Sequence, residues 1–129
     1  MVPLPWKSVS APVAGKDYVA LVSFLPLKKH SMIPKFFLLT LETQHQLAKS
    51  RGLIGYSIYA ELLRKRFWTL SVWEDDQALA DFVQATPHGR IMEQLAPHMG
   101  RTRFEQWRAR AEDMPLDWRS ARERVLGKL

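Results

Sequence analysis

Histidine is the residue type best suited to proton transfer near neutral pH, and His88 is the most suggestive of the four histidines in this sequence. Thr86 and Pro87 precede it, and this pair is typical of a helix N-cap followed by the first helical residue. We therefore expect His88 in the first turn of a helix, where the positive end of the helix dipole disfavours the imidazolium form. A neutral imidazole there can act as a general base. The alternative role is a local turn hydrogen bond on an exposed surface.

The other histidines have less suggestive positions. His98 is expected near the end of the same helix, where a cation is stabilised, so helix capping is its favoured role. His30 and His45 are expected on polar surface. No two histidines have the spacing of a metal-binding pair, and the chain has no cysteine. We therefore predict no metal site.

Rings and hydroxyl groups alternate on one face of an expected strand. Phe67, Thr69, Ser71 and Trp73 share that face, which fits either the wall of a pocket for a flat ligand or the packed core of a dimer. On the preceding strand, alternation is expected to place Ile54 and Tyr56 on the same face. Tyr56 carries a phenol that can donate a hydrogen bond to a bound oxygen. The candidate binding residues, including two expected in the core or at a pocket rim, are Tyr56, Phe67, Thr69, Ser71, Trp73, Phe82 and Met92.

Several common catalytic motifs do not occur in the sequence. It contains no GxSxG nucleophile elbow, no Ser-His-Asp spacing, no GxGxxG dinucleotide motif and no P-loop. Hydrolase, dinucleotide-binding and nucleotide triphosphatase functions are therefore not supported. Flavin and nicotinamide dependence have no support either.

Composition and charge indicate one globular domain. The chain has 129 residues, of which 47% are hydrophobic and 25% charged. The net charge is +6, but acidic residues interrupt the basic stretches, so a solvated surface is favoured over nucleic-acid binding. The N-terminus lacks the apolar run of a signal peptide, and no stretch approaches the roughly 20 apolar residues of a membrane span. We expect a cytoplasmic protein without a membrane partner.

The hydrophobic periodicity predicts an α+β fold with the order β-α-β-β-α-β and a C-terminal helix capped by Asp117. The connection between the third and the fourth strand is expected to contain two helices, one starting near Glu74 and one near Thr86. The expected strands are Asp17–Leu25, Leu53–Leu62, Arg66–Trp73 and Arg101–Arg110, and the first helix runs from Ile33 to a C-cap at Gly52. We divide the chain into an extended lead-in (1–16), a ferredoxin-like domain (17–112) and a helical extension (113–129).

This arrangement predicts an antiparallel sheet with its main helices on one face. The other face should carry aromatic residues such as Phe67, Trp73, Trp107 and either Tyr56 or Tyr59. An exposed aromatic patch of that kind marks an interface or a ligand site. We therefore expect a homodimer in which two sheets pack face to face as a closed barrel.

Three segments carry a family resemblance: GLIGY at the start of the second strand, FWTLSVWEDDQALADF and ATPHGRIM. Together they resemble the antibiotic biosynthesis monooxygenase-like superfamily of dimeric α/β barrels, over residues 17 to 110. The strand-terminal Trp73 and the downstream His88 are also similar to the spheroidene monooxygenase branch, which is associated with haem.

The resemblance implies a homodimer with a largely apolar pocket between sheet and helices in each subunit. The implied function is a monooxygenase that acts on a hydrophobic aromatic or polyene substrate without flavin or nicotinamide, with His88 as the catalytic residue. The alternatives are a haem-binding protein or haem-dependent oxygenase that uses His88, and a dimer that binds a hydrophobic small molecule without catalysis. The Asn-Trp-His set of haem-degrading members is absent, because the chain contains no asparagine.

Overall fold

The structure is a computed structural model that describes residues 5–85 and 88–127. Its strands are β1 (Lys7–Ser8), β2 (Asp17–Pro26), β3 (Leu53–Glu61), β4 (Arg66–Trp73) and β5 (Arg103–Arg110). Its α-helices are α1 (Ile33–Ala48), α2 (Asp76–Gln84), α3 (His88–Leu95) and α4 (Trp118–Leu126). None of the helices within the described ranges is long and apolar enough to cross a membrane.

The five strands form one sheet in the order β1-β3-β4-β2-β5, and all neighbouring pairs are antiparallel. The elements from β2 to β5 follow the predicted β-α-β-β-α-β order, with α2 and α3 together in the place of the second helix. The predicted ferredoxin-like α+β fold with a C-terminal helix is therefore confirmed. The predicted division of the chain into three parts stays a proposal.

One face of the sheet packs against α1, α2 and α3. Val19 of β2 lies opposite Trp73 of β4, and both belong to a buried cluster with Leu79 and Phe82 of α2. A second cluster on this face joins Phe67 to residues of α1 and α3. The predicted alternation along β4 is correct, since its odd-numbered residues from 67 to 73 face these helices. Sequence periodicity sufficed here because β4 itself has no extra residue in its pairing with either neighbouring strand.

Strand β3 departs from its predicted alternation at Ile54. The pairing of β3 with β4 shifts between Leu53 and Gly55, so one extra residue bulges out of the ladder. Leu53 and Tyr56 consequently both face the helices, whereas Ile54 packs in a cluster on the opposite face. The prediction that Ile54 and Tyr56 share a face is wrong. A bulge inserts one residue without a hydrophobic signal of its own, so strict period-two counting places Ile54 incorrectly.

The second face of the sheet is covered by the chain itself. Ala121 and Val125 of α4, each 1% exposed, pack against Trp68 and other residues of β2 and β4. The N-terminal segment adds Trp6, whose ring lies against Gly55; a Cβ atom at that glycine would come within 2.5 Å of the ring. The predicted uncovered face is therefore not observed.

The prediction that these aromatic residues share one face of the sheet was also wrong. Phe67, Trp73 and Tyr56 lie on the face covered by α1–α3, whereas Tyr59 and Trp107 lie on the face covered by α4. Both faces of this sheet are apolar, so the sequence pattern alone could not indicate which face each helix covers. The homodimer stays a prediction, but its original argument, an aromatic face open to solvent, does not apply.

Candidate functional site

His88 lies at the start of α3, and this agrees with the expected position in the first turn of a helix. The residues proposed to cap this helix, Thr86 and Pro87, lie outside the described residues. The Nδ1 atom of His88 lies 3.0 Å from the carbonyl oxygen of Val83. A carbonyl oxygen only accepts hydrogen bonds, so Nδ1 carries the hydrogen and Nε2 is the nitrogen placed to exchange a proton. The imidazole is partly buried.

Gln46 of α1 joins the ends of α2 and α3. Its Oε1 accepts a hydrogen bond from the backbone N–H of His88 at 2.9 Å, and its Nε2 donates to the carbonyl of Phe82 at 3.3 Å. One side-chain amide therefore satisfies a donor at the start of α3 and gives a second hydrogen bond to the Phe82 carbonyl, which also accepts from the Ala85 N–H at 3.2 Å. Sequence reasoning missed Gln46, because a contact across 42 residues leaves no local signal.

The rings of Trp73, Phe82 and His88 form a series that leads from β4 through α2 to α3. The rings of Trp73 and Phe82 have centroids 5.1 Å apart, and those of Phe82 and His88 are 4.6 Å apart. The Trp73 indole N–H donates to the Ser71 hydroxyl at 2.9 Å. Tyr56 belongs to the same buried cluster, and burial raises the pKa of its phenol above the ordinary value. The structure thus brings together five of the eight predicted site residues: His88, Tyr56, Ser71, Trp73 and Phe82.

The other three predicted site residues lie elsewhere. Phe67 is 1% exposed and packs on Phe36, with ring centroids 4.3 Å apart, in the cluster that joins α1 and α3. Thr69 is partly buried near the middle of β4, and Met92 is exposed on α3. Trp73 and Phe67, each 1% exposed, fill the space between sheet and helices instead of lining an open wall.

The larger surface groove, of about 1040 Å³, lies between helices α1 and α2. Its lining follows one stripe of each helix, with residues spaced three or four apart, as expected for two facing helical surfaces. Ser50 and Arg51 from the turn after α1 and Arg90 of α3 complete it. The α1 stripe comprises Leu38, Leu41, Glu42, His45, Gln46 and Lys49, and the α2 side comprises Ala78, Asp81, Phe82 and Ala85.

Phe82 and Gln46 connect this groove to the ring series. Both residues line the groove. The Phe82 ring contacts the His88 imidazole, and the Gln46 side chain accepts a hydrogen bond from the His88 backbone N–H. Of the seven predicted binding residues, Phe82 alone lies in the lining of this groove. A smaller groove, of about 340 Å³, lies at the β3 edge; Tyr56 and Trp6 are among its lining residues.

The charges of the larger groove are unevenly distributed. Arg90 and Glu42 form an ion pair at 2.8 Å, and Asp81 accepts a hydrogen bond from Gln77 at 2.7 Å. Lys49 and Arg51 have no ion pair within the described residues. Among those residues, no three His, Asp or Glu side chains are placed to hold a metal ion together.

Solved structures share this fold. The chain matches a conserved protein from Methanosarcina mazei Go1 (20% identity, 70% of this chain and 90% of the other, TM-score 0.63). It also matches SnoaB, a cofactor-independent oxygenase from Streptomyces nogalater, with 15% identity over 74% of this chain and 95% of the other and a TM-score of 0.61. A third match is an antibiotic biosynthesis monooxygenase, with 13% identity over 69% of this chain and 95% of the other and a TM-score of 0.63. In two longer matched structures the chain spans about half of the neighbour, 51% and 46%.

No family model matches the sequence, and no curated protein matches it. At these identities the structural matches define the fold. The chain has the fold of the antibiotic biosynthesis monooxygenase-like proteins, and the resemblance seen in the sequence is confirmed at that level.

Proposed function

We propose that this chain is a small-molecule monooxygenase that acts on a hydrophobic aromatic or polyene substrate without flavin or nicotinamide. The observation that carries the proposal is the junction at Phe82, which lines the groove and whose ring contacts the His88 imidazole. The fold shared with a protein described as a cofactor-independent oxygenase supports it. The substrate occupies the groove between α1 and α2, with a conjugated ring against Phe82.

His88 acts as the general base in this proposal. Its Nδ1–H is held by the Val83 carbonyl, and Nε2 is the nitrogen that receives the proton. Because His88 does not line the groove, the proton of an activated carbon or hydroxyl group of the substrate reaches Nε2 through one water molecule. The resulting anion is stabilised by conjugation and gives its electrons directly to oxygen. For a methylene group between two rings the balance is CH2 + O2 → C=O + H2O. One oxygen atom enters the substrate, the other leaves as water, and no external reductant is needed.

Haem binding through His88 is the alternative that the sequence resemblance raised. The groove is large enough for a flat ligand, but His88 is not among its lining residues, and the Phe82 ring lies against the imidazole. The described residues therefore do not fit a haem held in this groove with His88 as its axial ligand. Binding of a hydrophobic molecule without turnover would use the same groove, and only a turnover measurement separates it from the oxygenase.

The test is oxygen uptake by the purified chain with anthrone, a tricyclic compound with a methylene group between two rings. We expect protein-dependent uptake and formation of the corresponding quinone above the spontaneous rate. His88→Ala should lower that rate by roughly 10²- to 10⁴-fold, the usual contribution of a general base. His98→Ala removes a histidine outside the groove and should leave the rate unchanged.

Two results would contradict the proposal. Equal rates for His88→Ala and the wild type would remove His88 from the mechanism, and binding of anthrone without uptake would favour a non-catalytic binding protein. A parallel hemin titration covers the alternative, since a Soret shift that His88→Ala abolishes would place haem first.

A further inference from the structure

The groove between α1 and α2 has an apolar end and a cationic end. Leu38 and Leu41 are 65% and 60% exposed and lie next to each other on the groove side of α1, so one end of the groove is apolar and open to solvent. Lys49 and Arg51 lie at the other end, beyond the last turn of α1. From Leu38 to Lys49 the helix rises about 16 Å, at about 1.5 Å per residue.

Helix α2 forms the opposite wall of the groove, and its start lies at the cationic end. A Cβ atom at Gly52 would lie 2.6 Å from the Cβ of Ala78, so the start of α2 lies beside the cationic end. Gln46 contacts the Phe82 carbonyl farther along α2, so the two helices run antiparallel along the groove. Phe82 and Gln46 therefore lie in the middle, between the leucines and the cations.

The charged groups of the lining do not all cancel. The Arg90–Glu42 pair neutralises itself near the apolar half. Among the lining residues, Lys49 and Arg51 have one carboxylate near them, that of Asp81, whose Oδ1 already accepts a hydrogen bond from Gln77. The Glu74 carboxylate lies beside Gly52, outside the lining, and pairs with Lys16 at 3.5 Å. Lys49, Arg51 and Asp81 together give this end of the lining a net charge of +1. An apolar ligand with a carboxylate at one end complements this arrangement.

We infer that the groove selects elongated hydrophobic molecules that carry a carboxylate at one end, which Lys49 and Arg51 bind while the apolar body lies along Phe82, Leu41 and Leu38. This inference rests on the proposed function for the location of the substrate and adds its chemical class. The carboxylate orients the molecule, because only one end of the groove offers cations without ion pairs within the described residues. The ring system then lies at Phe82, next to His88.

The experiment measures binding of three fluorescent probes to the full chain: anthracene-2-carboxylate, its methyl ester and 2-aminomethylanthracene. We expect the acid to bind roughly three- to tenfold more tightly than the ester, the range for one or two solvent-exposed ion pairs. The amine should bind more weakly than the ester. The double variant Lys49→Gln/Arg51→Gln should bind acid and ester equally.

Two further variants separate the groove from general charge. Lys28→Gln/Lys29→Gln removes the same charge from an exposed loop and should keep the preference for the acid. Leu41→Glu should weaken the acid and the ester together, since both need the apolar end. Equal binding of acid and ester by the wild type would overturn the inference, and so would loss of the preference in the loop variant.

Other outcomes separate this inference from the proposed function. A selective preference for the acid with no oxygen uptake would support the ligand class and contradict the oxygenase. Turnover of anthrone without a preference for acids would support the oxygenase and contradict the ligand class. Absence of all probe binding, with a dimer that Leu41→Glu dissociates, would overturn the inference by showing that a second copy of the chain covers the groove.

Discussion

At the residue scale, the candidate site combines one predicted base with a support that no local pattern reveals. His88 was found from two preceding residues and helix-dipole reasoning, which depend on neighbours in the sequence. Gln46 holds the backbone of His88 from another helix, and its polar position on α1 looks like ordinary surface. Local chemistry therefore predicts the position of the proposed base, whereas the residue that holds its backbone depends on how α1 packs against α2 and α3.

Tyr56 gives a prediction about pH. Burial raises the pKa of its phenol above the ordinary value near 10, so the folded state holds this proton more tightly than the unfolded state does. The associated stabilisation is complete below the ordinary pKa and is lost as the pH rises through the higher folded-state pKa. Tyr56→Phe cannot ionise, so its free energy of unfolding should fall less steeply on the alkaline side than that of the wild type.

The measurement is denaturant unfolding at several alkaline pH values, with phenolate absorption followed in parallel. Tyr59→Phe, which removes a phenol from the opposite face of the sheet, is the control and should keep the wild-type slope. An unchanged slope in Tyr56→Phe would show that this phenol does not contribute to the alkaline loss of stability.

At the element scale, helix ends and strand positions could be predicted where the controlling interaction is local. The boundaries of β4 agree with the structure, and so does the cap of α4, since both depend on adjacent residues. The bulge at Ile54 was missed because it changes the facing of residues without changing their types. The end of α1 was also placed too late: its C-cap is Lys49, and Gly52 adopts a positive φ of 82° in the following turn.

The cap of α4 is the second testable feature. The Asp117 carboxylate accepts hydrogen bonds from the backbone N–H groups of Arg119 and Ser120 at 3.3 and 3.1 Å. Asp117→Ala should lower the free energy of unfolding by about 1 kcal/mol, since it leaves these donors without their side-chain acceptor. Asp117→Asn keeps a capping oxygen and should retain most of the stability. Urea unfolding of the three proteins measures this, and equal losses for Ala and Asn would point to charge instead of capping.

At the scale of the whole molecule, the order of elements was predictable and the partner of the second sheet face was not. That face is apolar, and an apolar face needs a cover, which supported the expected homodimer. In the structure α4 and Trp6 provide the cover within one chain. Choosing between a second copy and the chain's own C-terminal helix requires knowing where residues 114–126 fold back. Their short amphipathic pattern does not contain that information.

This arrangement predicts how the oligomeric state responds to opening the second face. Val125 is 1% exposed beneath α4, so Val125→Asp buries an unpaired carboxylate and should displace the helix from β2 and β4. The exposed aromatic face should then drive concentration-dependent self-association, which sedimentation across a range of protein concentrations would detect. Leu126→Asp changes the exposed neighbouring residue, 42% accessible, and should behave as the wild type. If instead the wild type is a dimer that Val125→Asp converts to a monomer, the dimer itself depends on this face, and α4 belongs to the interface between the two copies.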